Sequence, residues 1–131
     1  MHPGKYTVAV VDDDRRLLES LEDLLESAGY GVQSFNSAAS FLEDRTALSN
    51  ADCLITDIGM PFIDGFELER LVKQARPELP VMLITGRHEI ADQQRAAARG
   101  NRFFRKPFDG RALLAAVGHV LPSSGGQRDA E

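Results

Sequence analysis

The stretch that decides the fold reads Tyr6-Thr7-Val8-Ala9-Val10-Val11-Asp12-Asp13-Asp14. Its first six residues are nearly all apolar and rich in β-branched side chains, and the run stops abruptly at three aspartates. A short apolar run of this kind is typical of a strand buried on both faces of a parallel sheet. Leucines at helical spacing follow over 17–28, and Gly29 is placed to end that helix. The pattern predicts a strand followed by a crossover helix.

The same unit of strand and helix repeats along the chain. The predicted strands are 6–11, 32–35, 53–56, 80–84 and 102–105. The predicted helices are 17–28, a helix capped by Ser37 that carries Phe41 and Leu42, one over 68–75, one over about 88–99, and one over 109–121 capped by Asp109. Alternation of this kind implies right-handed crossovers and a sheet covered on both faces. We predict an α/β, flavodoxin-like, doubly wound five-stranded parallel sheet in the order 2-1-3-4-5 with five helices.

Length and composition favour one domain in a reducing compartment. The chain has 131 residues, 43% of them hydrophobic, which suits a single core. No apolar run approaches the roughly 20 residues of a membrane span, and the first residues lack the apolar centre of a secretory signal. Cys53 is the single cysteine, which excludes an internal disulfide. We expect one cytoplasmic domain over 1–121 and a flexible tail or linker stub over 122–131.

Charge is distributed unevenly along the chain. From Asp12 to Glu67 there are 13 acidic and 3 basic residues, whereas from Arg87 to Arg111 there are 3 acidic and 7 basic residues. Two solvated faces explain such an asymmetry, and so does an acidic functional region beside a separate basic contact surface. The sequence pI of about 5.2 argues against a dedicated nucleic-acid binder.

Polar side chains follow four of the predicted strands. They are Asp12 and Asp13 after the first strand, Asp57 after the third, Thr85 after the fourth and Lys106 after the fifth. Ligands of open α/β sheets bind at the carboxyl ends of the strands, and in the predicted order the first and third strands are neighbours. Clustered carboxylates raise one another's pKa unless a cation compensates, and Mg²⁺ prefers such oxygen ligands. Each residue alone is an ordinary turn, cap or surface residue; together they suit phosphoryl transfer onto an aspartate.

Five motifs in order make the sequence closely resemble the receiver domain of bacterial two-component response regulators over about residues 5–121. The motifs are Val10-Val11-Asp12-Asp13-Asp14, Thr56-Asp57-Ile58-Gly59-Met60-Pro61, Asp64-Gly65, Leu83-Ile84-Thr85-Gly86 and Lys106-Pro107-Phe108. The stretch Ser37-Ala38-Ala39-Ser40-Phe41-Leu42, together with Thr85-Gly86 and Lys106-Pro107-Phe108-Asp109, resembles the FixJ-type branch most.

The resemblance implies a phosphoacceptor and a magnesium site. Asp57 would accept a phosphoryl group from a phosphohistidine on a sensor histidine kinase. Asp13, supported by Asp12, would bind Mg²⁺, with Asp57 and the main-chain carbonyl of Gly59 completing the protein ligands. The only catalysis expected is self-phosphorylation from a phosphodonor and autodephosphorylation.

The resemblance also implies a switch and an output surface. Thr85 and Lys106 would hold the phosphoryl oxygens, and Phe103 stands at the position of the aromatic switch residue. The Lys106–Pro107 bond would be cis. The surface made by the helix over about 88–99, the fifth strand and the last helix would control a partner or an output domain, and it allows a homodimer. DNA would be contacted only through an output domain that this chain lacks, and no membrane contact is expected.

The sequence departs from the family pattern at three positions. Gly59 and Arg87 differ at the positions that gate water to the phosphorylated aspartate, and Asn101 replaces a small residue near the switch strand. Arg95, Arg99, Arg102 and Arg105 would make the output surface basic. Two other functions are open: a magnesium-dependent phosphatase with an aspartyl-phosphate, which needs a second aspartate where Gly59 stands, and an interaction module that works without phosphorylation.

Overall fold

A five-stranded parallel sheet lies at the centre of the computed structural model, which describes residues 6–86, 94 and 102–121. The strands are β1 (Thr7–Val11), β2 (Gly31–Phe35), β3 (Cys53–Asp57), β4 (Val81–Thr85) and β5 (Arg102–Arg105). All neighbouring strands pair in parallel, in the order β2-β1-β3-β4-β5. The predicted fold class and strand order are therefore confirmed.

The described residues form five helices. They are α1 (Arg15–Ser27), α2 (Ala38–Glu43), α3 (Arg45–Asn50), α4 (Gly65–Ala75) and α5 (Gly110–Val120). The predicted caps Ser37 and Asp109 each accept a backbone hydrogen bond at the start of their helices. Of the helix predicted over about 88–99 only Gln94 is described, and it is helical; the tail predicted over 122–131 lies outside the described residues. In the part of the chain that is described, no helix combines the length and apolar character needed to cross a membrane.

The region between β2 and β3 differs from the prediction of one helix near Ser37. The chain forms two short helices there, α2 and α3, and Asp44 joins them. The backbone N–H of Asp44 donates to the carbonyl of Phe41, while its side chain accepts from the N–H of Ala47. Asp44 therefore ends α2 and caps α3. Its extended backbone breaks the first helix, and its carboxylate accepts a hydrogen bond from a backbone N–H at the start of the second.

Each face of the sheet packs against its own helices. On one face, Val8, Val10, Cys53 and Ile55 pack with leucines of α1 and α5. On the other face, a second cluster combines strand residues with apolar residues of α2, α3 and α4; its largest fully buried members are Phe41, Phe66, Leu54, Leu68, Leu79 and Leu83. Because both faces are covered, the polar residues that follow the strands can reach solvent only at the edge formed by the strand ends.

Candidate functional site

One lysine links the carboxyl ends of three strands. Lys106 directly follows β5, and its Nζ lies 3.1 Å from Asp12 Oδ2 and 3.2 Å from Asp57 Oδ1. Asp12 directly follows β1 and Asp57 ends β3. The backbone N–H of Lys106 donates to the carbonyl of Thr85 at 2.8 Å, which continues the pairing of β4 with β5 up to the site. The strand order thus brings groups far apart in the sequence into one ion-pair network.

Three carboxylates meet beside this lysine. Asp12, Asp13 and Asp57 each place one oxygen within 4.8 Å of the others. Asp12 and Asp57 are buried, whereas Asp13 is exposed. They line a cleft of about 210 Å³, together with Asp14, Gly59, Gly86 and Lys106. The predicted convergence of the three aspartates is therefore confirmed by the structure.

The orientation of Asp12 follows from the chain that leads into α1. Its Oδ1 accepts the backbone N–H of Asp14 at 2.8 Å, so the carboxylate is held against the start of the helix. Asp14 in turn caps α1 by accepting from the N–H groups of Arg16 and Leu17. Asp12 and Asp14 therefore both accept backbone hydrogen bonds in this turn, and Asp12 is buried whereas Asp13 and Asp14 are exposed.

Burial controls the titration of the two enclosed carboxyls. It raises the pKa of Asp12 to about 6, and the nearby charge of Asp57 adds to that rise, while the Asp14 N–H and Lys106 oppose it. Burial likewise raises the pKa of Asp57, with Lys106 and the N–H of Gly59 acting in the opposite direction and Asp13 adding to the rise. The rise in pKa expected from crowding is confirmed, but loss of water contributes more to it than repulsion does.

Lys106 keeps its charge in this cleft. Burial alone lowers the pKa of Lys106, but the charges of Asp57 and Asp12 outweigh that effect, and the net shift is upward. With the carboxylates ionised, three negative charges and one ammonium give the site a formal charge of −3 + 1 = −2. A hard divalent cation with oxygen ligands fits this donor set and this charge.

The two residues predicted to form the switch lie on one face of the sheet. Thr85 ends β4 and is buried, and Phe103 on β5 is half-buried against the cluster that contains Leu83. Leu83 pairs with Phe103, and Thr85 pairs with Arg105. Since alternate residues of a strand share a face, Thr85 and Phe103 are diagonal neighbours on it. The predicted cis bond between Lys106 and Pro107 is also present.

Two glycines contribute to the site in ways that their sequence motifs did not specify. Gly86 lines the cleft beside Lys106, and its own Cβ would stand 3.3 Å from the lysine side chain. Gly65 begins α4, and a Cβ there would stand 2.5 Å from the carbonyl oxygen of Asp57. Asp64 caps α4 through the N–H of Glu67. The Asp64-Gly65 motif indicates a helix start, but its contact with the backbone of Asp57 appears only in three dimensions.

Several predicted features fall outside the described residues. They are the water-gating position Arg87, the switch-strand neighbour Asn101, and the basic residues Arg95 and Arg99 of the proposed output surface. Gly59 is described: it is exposed, and it lines the cleft two residues after Asp57.

The sheet order and the acidic cleft at the ends of β1 and β3 define a flavodoxin-like α/β domain with an acidic edge. Residues 8–118 match the response regulator receiver domain family, and the chain belongs to that family. It is a receiver domain of the kind found in two-component systems. The expected similarity to FixJ is confirmed, because FixJ proteins from two bacteria are among its relatives.

Relatives of the chain include longer transcriptional regulators. FixJ of Azorhizobium caulinodans is 38% identical over 132 residues, which cover 98% of this chain and 62% of FixJ. The response regulator TodT of Pseudomonas putida is 33% identical over 143 residues, which cover 98% of this chain and 63% of TodT. The chain therefore spans less than two thirds of the length of these relatives.

Solved structures of response regulators share the fold. The response regulator StyR superposes with a TM-score of 0.80 at 38% identity, over 96% of this chain and 64% of StyR. The BeF3-activated receiver domain of DrrB superposes with a TM-score of 0.78 at 30% identity, over 88% of this chain and 97% of that domain. The described sheet and helices are thus those of the receiver fold.

Proposed function

We propose that Asp57 accepts a phosphoryl group from the phosphohistidine of a sensor histidine kinase. The observation that supports this most directly is the contact of Lys106 Nζ with both Asp12 and Asp57, at 3.1 and 3.2 Å, inside the acidic cleft. The lysine places a fixed positive charge beside the carboxylate that must approach an anionic phosphoryl group. Without such compensation, two anions would repel each other at reacting distance.

The transfer exchanges one bond for another. A carboxylate oxygen of Asp57 attacks phosphorus, the new P–O bond forms as the P–N bond to the donor imidazole breaks, and the imidazole leaves with the electron pair. Lys106 stabilises the negative charge on the transferred group, and the Thr85 hydroxyl donates to one of its oxygens after transfer. The chain itself contributes position and electrostatics, and the donor supplies the reactive bond.

A magnesium ion fits the proposal. Asp12, Asp13 and Asp57 would hold it, together with the carbonyl of Gly59. When bound, Mg²⁺ neutralises the carboxylates and the incoming phosphoryl oxygens. Within that set Asp13 is an exposed carboxylate, which would give the ion access from solvent. The buried Asp12 is already oriented by the N–H of Asp14 and would not have to reorganise to hold the ion.

Phosphorylation is proposed to reach the surface through Thr85 and Phe103. The added charge of about −1.5 to −2 at Asp57 attracts the Thr85 hydroxyl. Movement of Thr85 frees space for its diagonal neighbour Phe103 to turn inward. The surface formed by the predicted helix over about 88–99, β5 and α5 then changes its affinity for a partner, for an output domain or for a second copy of the chain.

We assign the receiver to 1–121 and a flexible tail or linker to 122–131, and DNA contact to a separate output domain.

Labelling with a small phosphodonor tests the proposal. The chain is incubated with phosphoramidate and MgCl₂, and intact-mass spectrometry measures the gain of one phosphoryl group. The parent chain should gain it, Asp57→Asn should not, and the exposed control Asp23→Asn on α1 should gain it at the parent rate. EDTA should abolish labelling. Labelling of Asp57→Asn, or rapid turnover of a small phosphate ester by the parent, would contradict the assignment.

A further inference from the structure

Phe62 has two properties that the proposed chemistry does not use. Its side chain is fully exposed, at 105% of its reference area, and its backbone φ is 69°. Among the residues that the structure describes, no other large apolar side chain is exposed and no other non-glycine residue has a positive φ. Both properties are unfavourable for phenylalanine, because the ring stays in water and the Cβ crowds the backbone.

A three-residue turn imposes this conformation. The N–H of Ile63 donates to the carbonyl of Pro61 at 2.8 Å, which closes a γ-turn around Phe62, and the positive φ marks the rarer and more strained kind. The N–H of Gly65 donates to the carbonyl of Ile58 at 2.9 Å and brings the whole loop back on itself. Strained residues held in this way are concentrated at binding sites and clamps.

This loop borders the acidic cleft. It begins immediately after Asp57, and Gly59 within it lines the cleft. On the β1 side the cleft is lined by Asp13 and Asp14, both of which are exposed. The loop therefore places Gly59 at the cleft and an exposed aromatic ring three residues further along the chain, while exposed carboxylates line the β1 side of the cleft.

We propose that Phe62 is an aromatic anchor for the phosphodonor protein. The partner would supply an apolar pocket for the ring and a basic rim for Asp13 and Asp14. The inference rests on the proposed function, because only a protein that brings a phosphohistidine to Asp57 must cover this edge. Buried aromatic anchors carry a large share of interface affinity, and complementary charge orients the encounter. A small phosphodonor needs neither the aromatic anchor nor the complementary charge.

A small phosphodonor tests whether Asp57 is phosphorylated, whereas a kinase donor also tests whether Phe62 binds the partner. The probes are phosphoramidate and the autophosphorylated soluble fragments of the sensor histidine kinases encoded by the same organism, tested one at a time at short reaction times. The variants are Phe62→Ser, which removes the ring, and Phe62→Tyr, which keeps it. Because the ring is exposed, both variants should unfold in urea at or above the parent midpoint.

Phe62→Ser should be labelled by phosphoramidate at the parent rate. Transfer from the kinase fragment that labels the parent fastest should fall by roughly tenfold or more at concentrations below saturation, and Phe62→Tyr should restore it. Equal transfer to the parent and to Phe62→Ser would overturn the inference. So would a parent chain that phosphoramidate labels and no kinase fragment labels, or a dimer, seen by sedimentation, that is lost in Phe62→Ser. Failure of the parent to react with phosphoramidate would instead overturn the proposed function.

Discussion

Replacing Gly65 with alanine tests how the start of α4 positions the strand that carries Asp57, the proposed phosphoacceptor. The new Cβ would stand 2.5 Å from the carbonyl oxygen of Asp57, 2.8 Å from the Cα of Ile58 and 3.0 Å from the carbonyl carbon of Asp57. All three atoms belong to the backbone, so no side-chain rotation relieves the overlap. Either α4 must move away from β3, or the backbone of Asp57 must shift.

The required shift sets the expected cost. Real Cβ atoms essentially never lie closer than 3.0 Å to such an oxygen, so the backbone must give by at least 3.0 − 2.5 = 0.5 Å. Forced overpacking of this kind costs about 1–3 kcal/mol. The matched control is Gly118→Ala in the exposed part of α5, where the new Cβ meets only the Tyr30 hydroxyl at an ordinary 3.7 Å. That change should stabilise the chain by about 0.5–1 kcal/mol, because alanine favours a helix interior over glycine.

Urea unfolding followed by circular dichroism measures both variants. With a slope of about 1–3 kcal/mol per molar, Gly65→Ala should lower the midpoint by on the order of 1 M, while Gly118→Ala should raise it. The folded Gly65→Ala protein should also accept phosphate from phosphoramidate more slowly, since the strand that carries Asp57 is displaced. If Gly65→Ala unfolds at or above the parent midpoint, the close approach of α4 to β3 does not position the site.

Two predictions concern the titration of Asp12. Apparent Mg²⁺ affinity, measured from the thermal stabilisation by MgCl₂, should weaken as the pH falls through about 6, because the proton competes with the ion for this carboxylate; equal stabilisation at about pH 8 and about pH 5 would contradict this. The pKa of Asp12 is higher in the folded chain than in the unfolded chain, so protonated Asp12 contributes to the free energy of unfolding. This contribution is fully present below about pH 3.8 and is lost as the pH rises through about 6. Without metal at about pH 8, Asp12→Asn should therefore stabilise the fold against urea by at most about 3 kcal/mol, and a loss of stability would refute this sign.

The strands and the convergence of the site were predictable because both follow from one pattern. Each apolar run that ends in a polar residue marks a buried strand and its carboxyl end, and parallel pairing brings all such ends to one edge. Asp12 and Asp57 therefore had to meet once β1 and β3 were neighbours. No knowledge of side-chain geometry was needed for that step, which explains why the pattern found the site as well as the fold.

The second helix between β2 and β3 was missed because its stability comes from contacts with distant residues. An isolated helix of six residues is not stable in water. Here Arg76, beyond the end of α4, donates through Nη1 to the carbonyls of Leu48, Ser49 and Ala51 at 3.0, 3.1 and 2.6 Å. These carbonyls belong to the last residues of α3 and its C-cap. The residue that caps the start of α3, Asp44, is visible in the sequence. The arginine that donates to the carbonyls at the end of α3 is 25 or more residues away from them.

The chemistry of the cleft is a consequence of the same core that forms the fold. Counting charges along the chain suggests that Asp12 and Asp57 raise each other's pKa by repulsion, yet burial is the largest cause for both. The two carboxyls are desolvated because each directly follows or ends a strand whose side chains are buried on both faces. Removing water also strengthens the attraction between these carboxylates and Lys106. The position of Asp57, the proposed phosphoacceptor, at the end of a fully buried strand therefore strengthens its electrostatic response, and exposing that strand end would weaken the response even with every charge retained.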